Sequence, residues 1–270
     1  MTNLRKYGKA PFNVAVIHGG PGAGGEMAPA ARELSSIRGV LEPLQTADSL
    51  EGQVEELRTV LQENGDLPVT LIGYSWGAWL SFIVAAHDPS LVGKLILVGS
   101  GPFEEKYVEG IQETRLSRLN EEKRIEYKSI ISVLGDISVL GDDPTAKDND
   151  AFLVRLGALT SKTDAYDPGD SAASEVTGIH SDIFQKVWKD AAELRRSRRL
   201  MGLGKSIRCP VVAIHGDYDP HPAEGVETPL AAVLRDFRFI LLKNCGHKPW
   251  MERQAKDDFY RIIREELHEK

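Results

Sequence analysis

Six short runs rich in Val, Ile and Leu punctuate the chain, at Asn13–His18, Gly39–Leu44, Pro68–Gly73, Lys94–Gly99, Pro210–His215 and Phe237–Leu242. Bounded by Gly and Pro and too short for helices, such runs read as strands buried on both faces. Helical patterns lie between the early runs and after the last one. Leu50–Glu63 places Val54, Leu57, Val60 and Leu61 on one face, and Trp76–Ala86 is apolar nearly all round. Gln254–His268 carries Phe259, Ile262, Ile263 and Leu267 on one stripe. Strands alternating with helices predict an α/β architecture, a parallel sheet covered by helices on both faces.

One interval breaks the alternation. Gly101–Ile207 is dense in charge and poor in strand signals. Within it, Ser181–Met201 puts Ile183, Phe184, Val187, Trp188, Ala191 and Leu194 on a single helical face. The expectation is a core made of residues 1–100 and 208–270, with residues 101–207 inserted as a helical lid over the C-terminal edge of the sheet. The Arg195–Arg199 run reads as the solvated face of a helix near its C-terminus.

Composition narrows the partners. Lys plus Arg number 33 against 40 Asp plus Glu, a net charge of −7, whereas phosphate binding wants a basic surface. Nucleic acid is therefore not an expected partner. At 41% hydrophobic and 27% charged, the chain is neither disordered nor fibrous in composition. Its two cysteines, Cys209 and Cys245, cannot form a disulfide scaffold and read as small buried thiols in a reducing compartment. No apolar run is long enough for a secretory leader or a membrane span. A cytoplasmic protein without a membrane partner is the expectation.

The third apolar run leads straight into Gly73-Tyr74-Ser75-Trp76-Gly77, and an apolar helix follows at once. Glycines on either side of a Ser, between a buried strand and a buried helix, permit a tight turn that lifts the hydroxyl clear of the sheet. The next helix points its first amides at the same place, favouring developing negative charge. The first run ends in His18-Gly19-Gly20-Pro21-Gly22, where three glycines let backbone amides approach a ligand closely. Acyl transfer needs two amide donors for the oxyanion. Trp76 is the candidate for one and Gly20 for the other, with Gly19 as the alternative.

A nucleophilic Ser needs a base, and the base needs an orienting acid. His247, in the loop after the last strand, is the candidate base. His221 is the rival, but it lies too close in sequence to the candidate acid. That acid comes from His215-Gly216-Asp217-Tyr218-Asp219-Pro220, in which Asp219 can turn back over the sheet edge and Asp217 can brace the turn. Ser75, Asp219 and His247 then follow in the order nucleophile, acid, base.

With these residues in hand, the chain resembles the α/β-hydrolase-fold serine hydrolases over nearly its whole length. The H-G-G-P-G loop, the G-Y-S-W-G turn and the G-H-x-P-W-x-E segment from Gly246 to Glu252 together are similar to the prolyl-aminopeptidase-like branch. The resemblance implies Ser75 as nucleophile, Asp219 as acid, His247 as base, and Gly20 with Trp76 as oxyanion donors. It implies no metal and no organic cofactor. Two departures stand out. Only a short segment precedes the first apolar run, so a sheet of about six strands without the family's N-terminal antiparallel hairpin is expected. The family's D-x-R-G-x-G-x-S segment is also replaced by Glu42-Pro43-Leu44-Gln45-Thr46-Ala47-Asp48-Ser49.

The expected activity is hydrolysis of a small ester or amide through an acyl-enzyme. An aminopeptidase would need a carboxylate to anchor the substrate's α-ammonium, and Glu104 and Glu105, with Glu109 beyond them, are the candidates. A carboxylesterase for neutral acyl groups is the alternative. A hydrolase-like binding protein, or a cofactor-free lyase or peroxidase, would be compatible with the same fold.

Overall fold

In the computed structural model, which describes residues 3–137, 146–169, 178 and 180–268, all six apolar runs are strands. The strands are β1 (Leu4–Tyr7), β2 (Val14–Ile17), β3 (Val40–Pro43), β4 (Val69–Tyr74), β5 (Val92–Val98), β6 (Val211–Gly216) and β7 (Phe237–Leu242). They form one sheet in the order β1-β3-β2-β4-β5-β6-β7. Helices α1 (Ala28–Leu34), α2 (Leu50–Asn64), α3 (Trp76–His87), α9 (Glu224–Val233) and α10 (Lys256–His268) belong to the alternating part. Between β5 and β6 lie α4 (Glu109–Ser117), α5 (Glu121–Ile137), α6 (Ala146–Thr163), α7 (Ser181–Arg196) and α8 (Arg199–Leu203). Residues 138–145, 170–177 and 179 of the expected insertion lie outside the described residues.

Why the central strands are so rich in apolar residues is visible in the core. Val14 and Val16 of β2, with Ile96 and Val98 of β5, pack on the face covered by α1 and α10. Ala15 and Ile17, with Leu95 and Leu97, pack on the opposite face with α2, α3 and α9. A period of two therefore feeds two cores, and β2, at the centre of both, is apolar at every position. Among the described residues no helix is long and apolar enough to cross a membrane.

The sheet has one strand more than expected. β1 runs antiparallel to β3, with Leu4 opposite Pro43 and Tyr7 opposite Val40, so six strands are parallel and one edge strand is not. It pairs with β3 rather than β2, so it makes no hairpin with β2. Its sequence, Leu-Arg-Lys-Tyr, has no apolar run because Arg5 and Tyr7 are spent on a buried carboxylate. Tyr7 donates to Glu42 Oε2 at 2.6 Å and Arg5 Nη1 lies 3.4 Å from the same oxygen.

The expected helix Ser181–Met201 divides into α7 and α8 at Arg198, whose φ is +58°. Arg195 departs from the solvated reading of its run. It is 7% exposed, with its Nε donating to Glu105 at 2.7 Å and its guanidinium over the Trp79 ring.

Chain order places β3 and β4 on opposite sides of β2. The C-terminal ends of β2 and β4 thus flank the point where the winding reverses, where open α/β sheets bind ligands. The H-G-G-P-G loop and Ser75 emerge at those two ends.

Candidate active site

The turn at Ser75 is set by close backbone packing. A Cβ on Gly77 would lie 2.3 Å from the Ile17 carbonyl oxygen, and one on Gly73 would lie 2.3 Å from that of Gly77. Only glycine fits either place. Ser75 between them has φ +52° and ψ −113°, a conformation that a non-glycine residue holds only when its surroundings impose it. Its amide donates to the Val98 carbonyl at 3.0 Å, tying the turn to β5.

Three of the expected residues meet here. His247 Nε2 lies 3.1 Å from Ser75 Oγ, and His247 Nδ1 lies 2.6 Å from Asp219 Oδ2. An ionised carboxylate can only accept, so Nδ1 carries the imidazole proton and Nε2 is free to accept from the Ser75 hydroxyl. The Asp219 side chain is fully buried. Burial alone would raise its carboxyl, but His247, His221 and His215 around it hold it well below the usual carboxylate range. Asp217 takes the bracing role: its Oδ1 accepts from the Cys245 amide at 3.3 Å, and Lys243 faces its other oxygen.

The loop that carries His247 is anchored from several directions. Its amide donates to the Asp164 carbonyl at 2.7 Å. Gly99, at φ +50°, lets β5 pass close beneath it, since a Cβ there would lie 2.7 Å from the His247 carbonyl oxygen. The buried Glu252 carboxylate accepts from the amides of Gly246 (2.9 Å), Tyr166 (2.8 Å) and Asp167 (2.7 Å). This gives the glutamate of the G-H-x-P-W-x-E segment a physical role: it joins the His247 loop to the stretch that follows α6 in the helical insertion. The Tyr74 ring packs 5.0 Å from His247 and meets Trp250 edge-on at 4.7 Å. Burial, with Glu26, Asp219 and Asp164 nearby, keeps its phenol well above the ordinary range and therefore neutral.

Around the oxyanion candidates the structure is equally specific. Trp76 opens α3, so its amide has no acceptor one turn earlier. Its indole donates to Gln53 Oε1 at 2.9 Å, and Gln53 in turn donates to the Ala47 carbonyl at 3.0 Å. Gly20 sits at φ +45°, where a Cβ would meet only the Ala23 Cβ, in ordinary contact at 3.5 Å, and its carbonyl accepts from Ala23 at 3.0 Å. Gly19 is different: a Cβ there would lie 2.7 Å from the Tyr74 ring. His18 below them is a brace. Its Nε2 accepts from the Gln45 amide at 3.2 Å, its Nδ1 donates to the Gly19 carbonyl at 2.6 Å, and burial lowers its pKa.

The structure brings Glu104 and Glu105 to cations of the protein itself. Glu104 pairs with Lys106 at 2.8 Å and Glu105 with Arg195 at 2.7 Å. Two further pairs flank the His247 loop: Glu26 with Lys248 at 2.5 Å, and Asp164 with Arg115 at 2.6 Å. Sequence reasoning missed Arg115, Asp164 and the part played by His221. The first two are far from the triad along the chain and carry no spacing signal. His221 offered one, its place two residues after the acid.

A search of curated proteins returns no match. Among solved structures the chain is similar to a proline iminopeptidase from Mycobacterium smegmatis (18% identity, 98% of this chain and 93% of that one, TM-score 0.61). It is also similar to a thermophilic esterase from Thermogutta terrifontis (16% identity, 98% and 92%, TM-score 0.61). A third is a monoacylglycerol lipase from Paleococcus ferrophilus (19% identity, 98% and 97%, TM-score 0.61). At these identities the likeness is one of fold. The family model for the alpha/beta hydrolase fold matches residues 14–254, from the first strand of the parallel sheet to beyond His247, and the chain therefore belongs to the α/β-hydrolase family.

Proposed function

We propose that the protein is a serine hydrolase that cleaves a small neutral-acyl ester, or an amide of the same kind, through an acyl-enzyme. The observation that carries this reading is the chain of hydrogen bonds from Ser75 through His247 to Asp219, built on a serine with positive φ. Ser75 Oγ attacks the carbonyl carbon while its proton passes to His247 Nε2. The carbonyl oxygen becomes an oxyanion held by the amides of Gly20 and Trp76. His247, now an imidazolium braced by Asp219, returns the proton to the leaving group. Water then attacks the acyl-Ser75 ester by the same route, and Ser75 is regenerated. Residues 101–207 act as a lid over the core of residues 1–100 and 208–270. They exclude water and supply acyl-group contacts.

The preference for a neutral acyl group rests on the ion pairs. Glu104, Glu105, Glu26 and Asp164 each hold a cation already. Using Glu105 or Asp164 to anchor a substrate ammonium would break a pair and strand Arg195 or Arg115, both largely buried. The test compares p-nitrophenyl esters of increasing chain length with prolyl-β-naphthylamide and its N-acetylated form. Turnover of the esters, with no preference for the free amine, is expected. Strong preference for the free amine, lost in Glu104→Gln or Glu105→Gln, would replace this reading by an aminopeptidase.

A further inference from the structure

The triad accounts for one oxygen of Asp219, and the other is held with equal care. Oδ1 accepts the His221 backbone amide at 2.9 Å and the His221 ring Nδ1 at 2.7 Å. Oδ2 is left to His247. A third imidazole, His215, comes within 3.5 Å of Oδ2, but its Nε2 lies closer to the His221 carbonyl, at 2.8 Å. Two histidines thus divide one buried carboxylate between them, oxygen by oxygen. Their rings also stack, with centroids 4.6 Å apart and planes 28° from parallel.

We propose that His221 is a positioning residue of the hydrolytic site, fixing the Asp219 carboxylate and supporting the His247 ring during proton transfer. The terminal torsion of an aspartate is broad, so a carboxylate held at one oxygen only can swing and spoil the line from Oδ2 to His247 Nδ1. The ring and the backbone of His221 pin the other oxygen. The stacked ring packs against one face of His247 and limits its movement to that side. For this duty the shelf must stay uncharged, because a cation beside the forming imidazolium would oppose it. Burial lowers the His221 pKa to about 4, against the pull of Asp219, so the ring facing Asp219, His247 and Arg115 is neutral at ordinary pH.

The inference rests on the hydrolase reading, and its test separates the two. His221→Ala removes the ring donor and the shelf but keeps the backbone bond. His221→Asn returns a side-chain N–H close to where Nδ1 stood. In ester hydrolysis, His221→Ala should lower kcat about 10- to 100-fold with little change in KM, and His221→Asn should recover most of the loss. Independently of turnover, the Nδ1 proton of His247 is read by NMR on 15N-histidine-labelled protein. Its hydrogen-bonded resonance should shift and broaden in His221→Ala and return in His221→Asn, with thermal unfolding of both variants as the folding control. Unchanged kcat and an unmoved resonance in folded His221→Ala would overturn the proposal. So would an Asn variant no better than Ala, or an effect confined to KM. Failure of the wild type to turn over any ester would count against the hydrolase reading alone, since the resonance would still report whether His221 positions the pair.

Discussion

Replacing Asp219 by Asn leaves the shape of the side chain nearly untouched and changes the direction of its hydrogen bonds. The carboxylate accepts three N–H groups: the His221 amide at 2.9 Å and ring at 2.7 Å on one oxygen, and His247 at 2.6 Å on the other. A carboxamide has a single acceptor oxygen. The His221 backbone N–H cannot change its donor character, so the amide oxygen turns to the His221 side. The reverse orientation would leave buried donors unsatisfied, at about 1–3 kcal/mol each. The amide NH2 then faces His247 and forces the imidazole proton from Nδ1 to Nε2. At that nitrogen, 3.1 Å from Ser75 Oγ, a donor stands where an acceptor is required. Only a minor tautomer reacts, and kcat should fall by roughly 10⁴-fold, as removal of the orienting acid does in such triads. That loss corresponds to about 5 kcal/mol of barrier. The assay is steady-state hydrolysis of a p-nitrophenyl ester beside a thermal melt, with Asp217→Asn as the control for a surface carboxylate of the same turn. A loss of less than about tenfold in folded Asp219→Asn, or a larger loss in Asp217→Asn, would refute the reasoning.

Other expectations follow from packing and titration. Gly77→Ala forces a Cβ to within 2.3 Å of the Ile17 and 2.5 Å of the His18 carbonyl oxygens, both backbone atoms that cannot turn aside. It should destabilise the fold by about 4 kcal/mol or more, read as a lower denaturant midpoint; an unchanged midpoint would contradict the packing argument. His221 is neutral when folded, with a pKa of about 4 against the ordinary 6.5, so the unfolded chain gains the extra proton first as pH falls. Its contribution is complete above about pH 6.5 and declines toward pH 4, by up to about 3 kcal/mol. Buried His18, shifted the same way, adds to the loss. Urea titrations across that window should show wild type losing more stability than His221→Asn, and parallel curves would contradict the assignment.

How much of this was legible in the residues depends on distance along the chain. The central strands announced themselves because two cores demand apolar side chains on both faces, as Val14 to Ile17 show. Ser75 was legible because the close backbone packing of its turn, on Gly77 for Gly73 and on Ile17 for Gly77, leaves room only for glycine on either side of it. His247 and Asp219 followed from their places after β7 and β6. The edge strand β1 was not legible, since an edge needs no second core and its Arg5 and Tyr7 serve the buried Glu42. Glu104 and Glu105 looked available because sequence shows charges near the site but not the cations opposite; Arg195 reaches Glu105 across 90 positions. His221 was weighed as a competing base, and its actual bond to the far oxygen of Asp219 depends on a turn geometry that letters do not encode. The same is true of the Asp164 carbonyl beneath His247.

The central claim is that Ser75 is the activated nucleophile, and a covalent probe reads it most directly. The protein is treated with a fluorophosphonate, digested, and the modified peptide located by mass spectrometry while ester turnover is followed in parallel. A single adduct on Ser75, accumulating in step with loss of turnover and slowed in His247→Ala, is the predicted result. Ester turnover that persists after Ser75 is fully modified, or an inactivating adduct on another residue, would contradict the account.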